Sequence, residues 1–270
     1  MIRIHRIVLA VLFAMASFQV SAQAQGKLDE ALRDHNKAIE LNPKDPVAYL
    51  NRGVTYYDMG KMPEALADYS KAIELKPDYA IAYYNRGLVH HDGKRYPEAI
   101  TDYSKAIQYD PKYINAYYNR SIVYYYSGQQ QEALVDINKA LDLGSKVYDT
   151  YYQRGLIYHK LKQYNQALVD YDKTIELNPK FVRAYNNRAL VRHILGQMAP
   201  SVEDYTKAIM LDSKYADAYF NRSLVYEDMK QYQKAIDDLS KAIELNPNDS
   251  EAYSNRAKLK NKLGSGQGVK

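Results

Sequence analysis

The chain has no cysteine and no tryptophan among its 270 residues. Without cysteine there can be no disulfides, no thiolate metal ligands and no lipidated N-terminal cysteine. Glycine (12) and proline (9) are sparse and scattered, so no glycine-rich loop cradles a phosphate. Neither sign of charge dominates: 37 Lys and Arg face 32 Asp and Glu, a net charge of +5. The excess forms no basic block, which argues against nucleic acid as a partner. The uncharged run at residues 7–18 is short of the ~20 residues a bilayer span needs. What is abundant is tyrosine, 29 residues against 4 phenylalanines. Its apolar ring and polar tip suit interfaces.

The N-terminus has three parts. Arg3 and Arg6 precede the apolar run, and small residues follow at Ser21, Ala22 and Ala24. This is the form of a secretory signal peptide over residues 1–24, cut after Ala22 or Ala24. It predicts a bacterial periplasmic or secreted protein with no stable membrane insertion after cleavage. An uncleaved membrane anchor is the less favoured reading.

Beyond that segment one phrase returns: Asn51-Arg52, Asn85-Arg86, Asn119-Arg120, Gln153-Arg154, Asn187-Arg188, Asn221-Arg222 and Asn255-Arg256. Each Arg lies 34 residues from the next. Tyr49, Tyr83, Tyr117, Tyr151, Tyr185, Tyr219 and Tyr253 keep the same beat, as do Ala31, Ala65, Ala99, Ala133, Ala167 and Ala235. A fixed period of this size marks a solenoid whose units bury their apolar faces only against neighbours. The periodicity predicts a helix-B half unit at 26–45 and six full units at 46–79, 80–113, 114–147, 148–181, 182–215 and 216–249. A lone helix follows at 250–263, then a flexible tail at 264–270. Within a unit, Asp45 is a plausible N-cap with Pro46 at the first helical position. Gly60 lies just past helix A, and Pro77 stops helix B.

These columns resemble the tetratricopeptide repeat. Tyr49 stands at its Trp, Gly53 at its Gly, Tyr56 at its Tyr, Ala65 at its Ala, Tyr69 at its Phe and Pro77 at its Pro. One departure is consistent: the Leu before the Gly is Arg, giving an Asn-Arg-Gly variant. The resemblance implies an all-α fold, a right-handed α-solenoid of antiparallel helix pairs, with a concave groove lined by A helices. It also implies a protein-interaction scaffold rather than an enzyme.

The groove columns vary in the way a recognition surface would. The Leu50 column becomes Tyr84, Tyr118, Tyr152, Asn186 and Phe220, and the Tyr57 column becomes His91, Tyr125, His159, His193 and Glu227. A carboxamide both donates and accepts, so it can pair with peptide backbone whatever the side chains are. Asn51, Asn85, Asn119, Gln153, Asn187 and Asn221 are therefore candidate backbone contacts, as in family members where an asparagine ladder holds extended peptides. Capping or solvation of the groove explains that column equally well. Tyr84, Tyr118, Tyr152, His91, Tyr125 and His159 are candidate selectivity residues. The carboxylate clamp of family co-chaperones is missing, because Val54, Leu88 and Ile122 fill the place of its second Asn. Its first Lys place holds Leu50, Tyr84 and Tyr118. His91, His159 and His193 lie on different units without the i, i+3 or i, i+4 spacing of a helical metal site. No nucleophile–base arrangement is present, and no cofactor is expected.

The expected function is that of an exported scaffold binding an extended peptide segment. A glycan-binding module is the alternative, since Tyr and Asn also suit sugars. Two further expectations concern stacking. Asp34, Asp68, Asp102, Asp136, Asp170, Asp204 and Asp238 form a column parallel to the arginines. Counting from the ends pairs each Asp with the Arg eighteen residues later, in the next unit. The unmatched ends favour simple capping, with weak head-to-tail self-association as a secondary expectation.

Overall fold

The computed structural model describes residues 22–265. The signal segment at 1–21 and the tail at 266–270 lie outside the described residues. Fourteen helices fill the described part, with no strand among them. They run α1 (Ala22–Leu41), α2 (Pro46–Asp58), α3 (Met62–Leu75), α4 (Ala80–Asp92), α5 (Tyr96–Tyr109), α6 (Ile114–Tyr126) and α7 (Gln130–Asp142). The rest are α8 (Tyr148–Lys160), α9 (Tyr164–Leu177), α10 (Val182–Ile194), α11 (Met198–Leu211), α12 (Ala216–Asp228), α13 (Tyr232–Leu245) and α14 (Ser250–Gly264). Two compact units result, one holding α1–α7 and the other α8–α14. Each is an all-α stack of paired helices in which every helix packs on the next.

The helix ends follow from local chemistry. The Asp45 carboxylate accepts from the Val47 amide at 2.9 Å, and Pro46 opens α2 where its missing N–H costs nothing. At the A-to-B turn the chain closes a Schellman pair: Lys61 N donates to Tyr56 O at 2.8 Å and Gly60 N to Tyr57 O at 2.9 Å. That turn demands positive φ, which Gly60, Gly128 and Gly196 supply. Lys94, Lys162 and Lys230 hold the same left-handed conformation at φ 56°, 59° and 58°. Gly264, in the equivalent column, continues α14 instead.

Inside four of the six full pairs, small residues on both helices admit one large ring, Tyr69, Tyr103, Tyr171 or Tyr205. Ala65, Tyr69 and Ala72 of α3 are buried against α2. A Cβ on Gly53 would lie 2.7 Å from Tyr69 Cε1, closer than any real contact. Gly87 and Gly155 meet Tyr103 and Tyr171 in the same way.

The arginine column binds within its own repeat, not across to the next, so the expectation from end-counting is wrong. Arg52 holds Asp68 through Nε and Nη2, both at 2.7 Å. Arg86–Asp102, Arg120–Asp136, Arg154–Asp170, Arg188–Asp204 and Arg222–Asp238 repeat this two-pronged pairing. Helix phase is the reason. Two residues along a helix turn the side chain about 200°, so Asp68 faces its own helix A while Ser70 faces the following one. The third guanidinium nitrogen takes that second partner. Arg86 Nη1 donates to Ser70 Oγ at 3.1 Å, Arg120 Nη1 to Ser104 Oγ at 2.8 Å and Arg256 Nη1 to Ser240 Oγ at 3.1 Å. Arg52 reaches Asn36, Arg188 reaches Asp172 and Arg222 reaches Thr206. Each of these guanidiniums except Arg256 thus joins three helices. Arg256 keeps its upstream partner with no helix B after it among the described residues, which is why counting ends misled.

Candidate functional site

Successive A helices meet along one face of each unit, α2 with α4 and α4 with α6 in the first. Asn51 is exposed there, and Asn85 and Asn119 are half-buried. Asn119 Nδ2 donates to Tyr84 Oη at 2.8 Å. The Tyr84 ring sits 4.8 Å from Tyr113 and 5.8 Å from Tyr103. Tyr118 is half-buried, whereas Tyr125 is buried with its ring edge-on to Tyr126 at 5.6 Å. His91 is buried 6.4 Å from the Tyr96 ring. Burial lowers its pKa, with Asp92 pulling the other way, so the ring is held neutral. Tyr57 Oη donates to Asp92 Oδ2 at 2.5 Å. Burial and that bond both raise the Tyr57 pKa.

The second unit treats the same columns differently. Gln153, Asn187 and Asn221 are buried, the two asparagines completely. Asn187 Nδ2 donates to Tyr152 Oη at 2.9 Å, Asn186 Nδ2 to Asn187 Oδ1 at 3.1 Å and Asn221 Nδ2 to Asn186 Oδ1 at 3.4 Å. Tyr152 is buried, edge-on to Phe181 at 4.8 Å. His159 is buried 5.9 Å from Tyr164. In this unit the asparagines bind each other and the neighbouring tyrosine, while Gln153 Nε2 is buried without a hydrogen-bond partner among the described residues.

These bonds share a spacing that the sequence reading missed. Tyr57–Asp92, Tyr84–Asn119, Tyr152–Asn187, Asn186–Asn221, His193–Asp228 and Glu227–Lys262 are each 35 residues apart. One period plus one residue brings side chains on neighbouring A helices into reach. The signal was present as complementary polar types one step off the repeat, and reading strictly down columns hid it.

The face of the first unit is aromatic, apolar and acidic. Along the stripe of Val47, Leu50, Asn51, Val54, Tyr57 and Asp58 on α2 and its 34-residue equivalents on α4 and α6 stand Asp58 and Asp92 and no Lys or Arg. Asp58 is exposed, yet partial desolvation raises its pKa. Among the described residues no group of His, Asp and Glu could hold a metal ion, and no helix is long and apolar enough to cross a membrane.

Comparison with known proteins agrees with this architecture. A model of the TPR repeat matches residues 24–60 and 55–93, and models of the tetratricopeptide repeat match 80–113, 148–181, 182–215 and 216–249. No curated protein matches the chain. Similar solved structures include YrrB, a TPR protein with an unusual peptide-binding site. It is 27% identical at a TM-score of 0.61, covering 70% of this chain and 97% of YrrB. MamA is 25% identical at a TM-score of 0.58, over 63% of this chain and 93% of its own. PilF of Pseudomonas aeruginosa, 19% identical at a TM-score of 0.68 over 79% and 97%, shares the fold. The family models together match well over half of its residues, and the chain belongs to the tetratricopeptide repeat family.

Proposed function

We propose that the protein is an exported, non-enzymatic scaffold that binds an extended segment of a protein partner along α2, α4 and α6. The observation that carries this reading is the contrast between the units. Asn51, Asn85 and Asn119 keep exposed or half-buried carboxamides beside Tyr84 and Tyr118, whereas Gln153, Asn187 and Asn221 are buried. Packed helices sit ~8–10 Å apart and extended chain advances ~3.3 Å per residue, so one Asn per repeat meets about every third residue. The aromatic stripe supplies selectivity, and Asp58 favours a segment with a Lys or Arg beside apolar residues. The likeness to YrrB, a TPR protein with a peptide-binding site, supports the same ligand class. The sequence of residues 1–24 supports a periplasmic or secreted location.

A peptide array set against a glycan array tests the ligand class. Extended peptides with a basic residue are expected to bind, and capture of glycans alone would replace this reading with the carbohydrate one. Replacing Asn85 and Asn119 together by Ala should weaken all bound peptides about tenfold or more, at about 1 kcal/mol per lost hydrogen bond. Tyr118→Ala should instead change their ranking. Unchanged binding in both variants would move the site off this face.

A further inference from the structure

Among the described residues α1 carries helix-B columns without a helix A before it, and α14 carries helix-A columns without a helix B after it. In six repeats the Arg of helix A holds the Asp sixteen residues later through Nε and Nη2. Arg256 on α14 has only its Ser240 bond, since no helix B follows it among the described residues. Asp34 on α1 is exposed and has no helix A of its own there. Seven periods of 34 separate Asp34 from the position sixteen residues after Arg256. In the same register Gly26 coincides with Gly264.

We propose that α1 of a second copy packs on α14 as its helix B, with Asp34 of one chain held by Arg256 of the other. The neighbouring columns fit this occupant. Lys260 takes the place of Arg192, whose Nη1 holds the Asp204 carboxylate at 2.8 Å beside Arg188, so Lys260 faces the same Asp34. Ala257 takes the place of Gly53 and lies opposite His35, a smaller ring than the Tyr69 that Gly53 accommodates. Burial points the same way. Ala65, Ala72, Ala99 and Ala106 are fully covered, whereas Ala31 is half-buried and Ala38 exposed. Ala257 is exposed, although its equivalents Gly53, Gly87, Ser121, Gly155, Ala189 and Ser223 are buried. Lys258 and Lys262 are engaged with Glu227 at 3.7 and 2.9 Å and take no part. The contact is heterologous, joining the α14 surface of one copy to the α1 surface of another, so each copy can add a further one.

Light scattering of the purified protein across concentration, at low and high salt, tests the contact. The mean mass should rise with concentration and fall with salt, because the joint is charged and solvent-accessible. Asp34→Arg and Arg256→Asp should each stay monomeric alone, since each places like charges at the joint. An equimolar mixture should regain the higher mass, because every joint between the two variants then pairs opposite charges. Circular dichroism of both variants should match the wild type, which checks that they remain folded. A wild-type mass that stays monomeric at high concentration and low salt overturns the proposal. So do variants that associate as the wild type does, or a mixture that stays monomeric.

Discussion

Arg86 grips Asp102 with two nitrogens, at 2.8 and 2.7 Å, and holds Ser70 of the preceding repeat with the third. The carboxylate side chain is almost wholly buried and the guanidinium is about a quarter exposed. Pairing with Asp102 raises the Arg86 pKa against the opposing effect of burial. The pair therefore sets the angle within one hairpin, while the Ser70 bond sets the step to the next.

A double-mutant cycle separates these two jobs. Asp102→Ala should cost about 3 kcal/mol or more, the order found when one partner of a buried pair is removed. Asp102 and Arg86 should show a large coupling energy, and Asp102 with Arg120 little. Ser104 with Arg120 should couple by about 1 kcal/mol, the scale of a single hydrogen bond. Denaturant unfolding measures all three. Equal coupling of Asp102 to both arginines would contradict the assignment.

The three left-handed lysines are a small reserve of instability. An L-residue with a side chain loses roughly 1–2 kcal/mol in this conformation, and glycine gives back part of that through its freer unfolded chain. Lys94→Gly, Lys162→Gly and Lys230→Gly should each stabilise the protein by up to about 1 kcal/mol. Gly60→Ala, at φ 73°, should destabilise it by a similar amount. A melting temperature that falls in all three lysine variants would show that these side chains contribute more than their backbone costs.

Acidification should loosen the first unit as its two adjacent histidines take up protons. Burial lowers the pKa of both His90 and His91 from the ordinary 6.5. His90 also faces Asp102 and Glu98, which raise it, and Arg95 and Arg86, which lower it; His91 faces Asp92, which raises it. The folded state thus holds neutral rings where the unfolded chain takes up protons. Their contribution is complete above 6.5 and is lost as the pH falls towards the folded values. The melting temperature should therefore drop between pH 7.5 and 5.5, and a His90→Gln, His91→Gln variant should show a flatter profile. An unaltered profile in that variant would assign the acid sensitivity elsewhere.

Much of this was legible in the sequence because the repeat prints its own punctuation. Asp45, Pro46, Gly60 and Pro77 bracket helices whose observed ends fall within a residue or two of those marks. Arg52 was recognised as structural, but its partner was not, because helix phase and not chain ends decides which way Asp68 points. The left-handed Lys94 is marked only by its place in the column of Gly60, Gly128 and Gly196, not by its own residue type. The candidate ladder looked uniform as a column, yet the structure divides it. Asn221 is covered where Asn186 sits 35 residues before it, while Asn51 stays open. What flanks a column, more than the column itself, fixes its exposure.

The fit of ring to backbone gives the sharpest remaining test. Gly87 lies under Tyr103, and a Cβ there would sit 2.8 Å from the ring. Repeats with a smaller residue in the ring's place carry Ser at the Gly position: Ser121 with Ile137 and Ser223 with Leu239. Both hydroxyls donate back to a carbonyl three residues earlier, Tyr118 O and Phe220 O, and are buried. Gly87→Ser alone should force the ring aside and cost about 1–3 kcal/mol, as overpacking of a dense core does. Tyr103→Ile alone should leave a cavity and cost about as much or more. The double variant reproduces the third repeat and should recover most of the loss of Gly87→Ser. One repeat limits the rule: Ala189 tolerates Tyr205, with Ser201 Oγ donating to Ala189 O at 2.8 Å. Gly87→Ala should accordingly be milder than Gly87→Ser. Strictly additive losses in the double variant would mean that ring and small residue do not share one space.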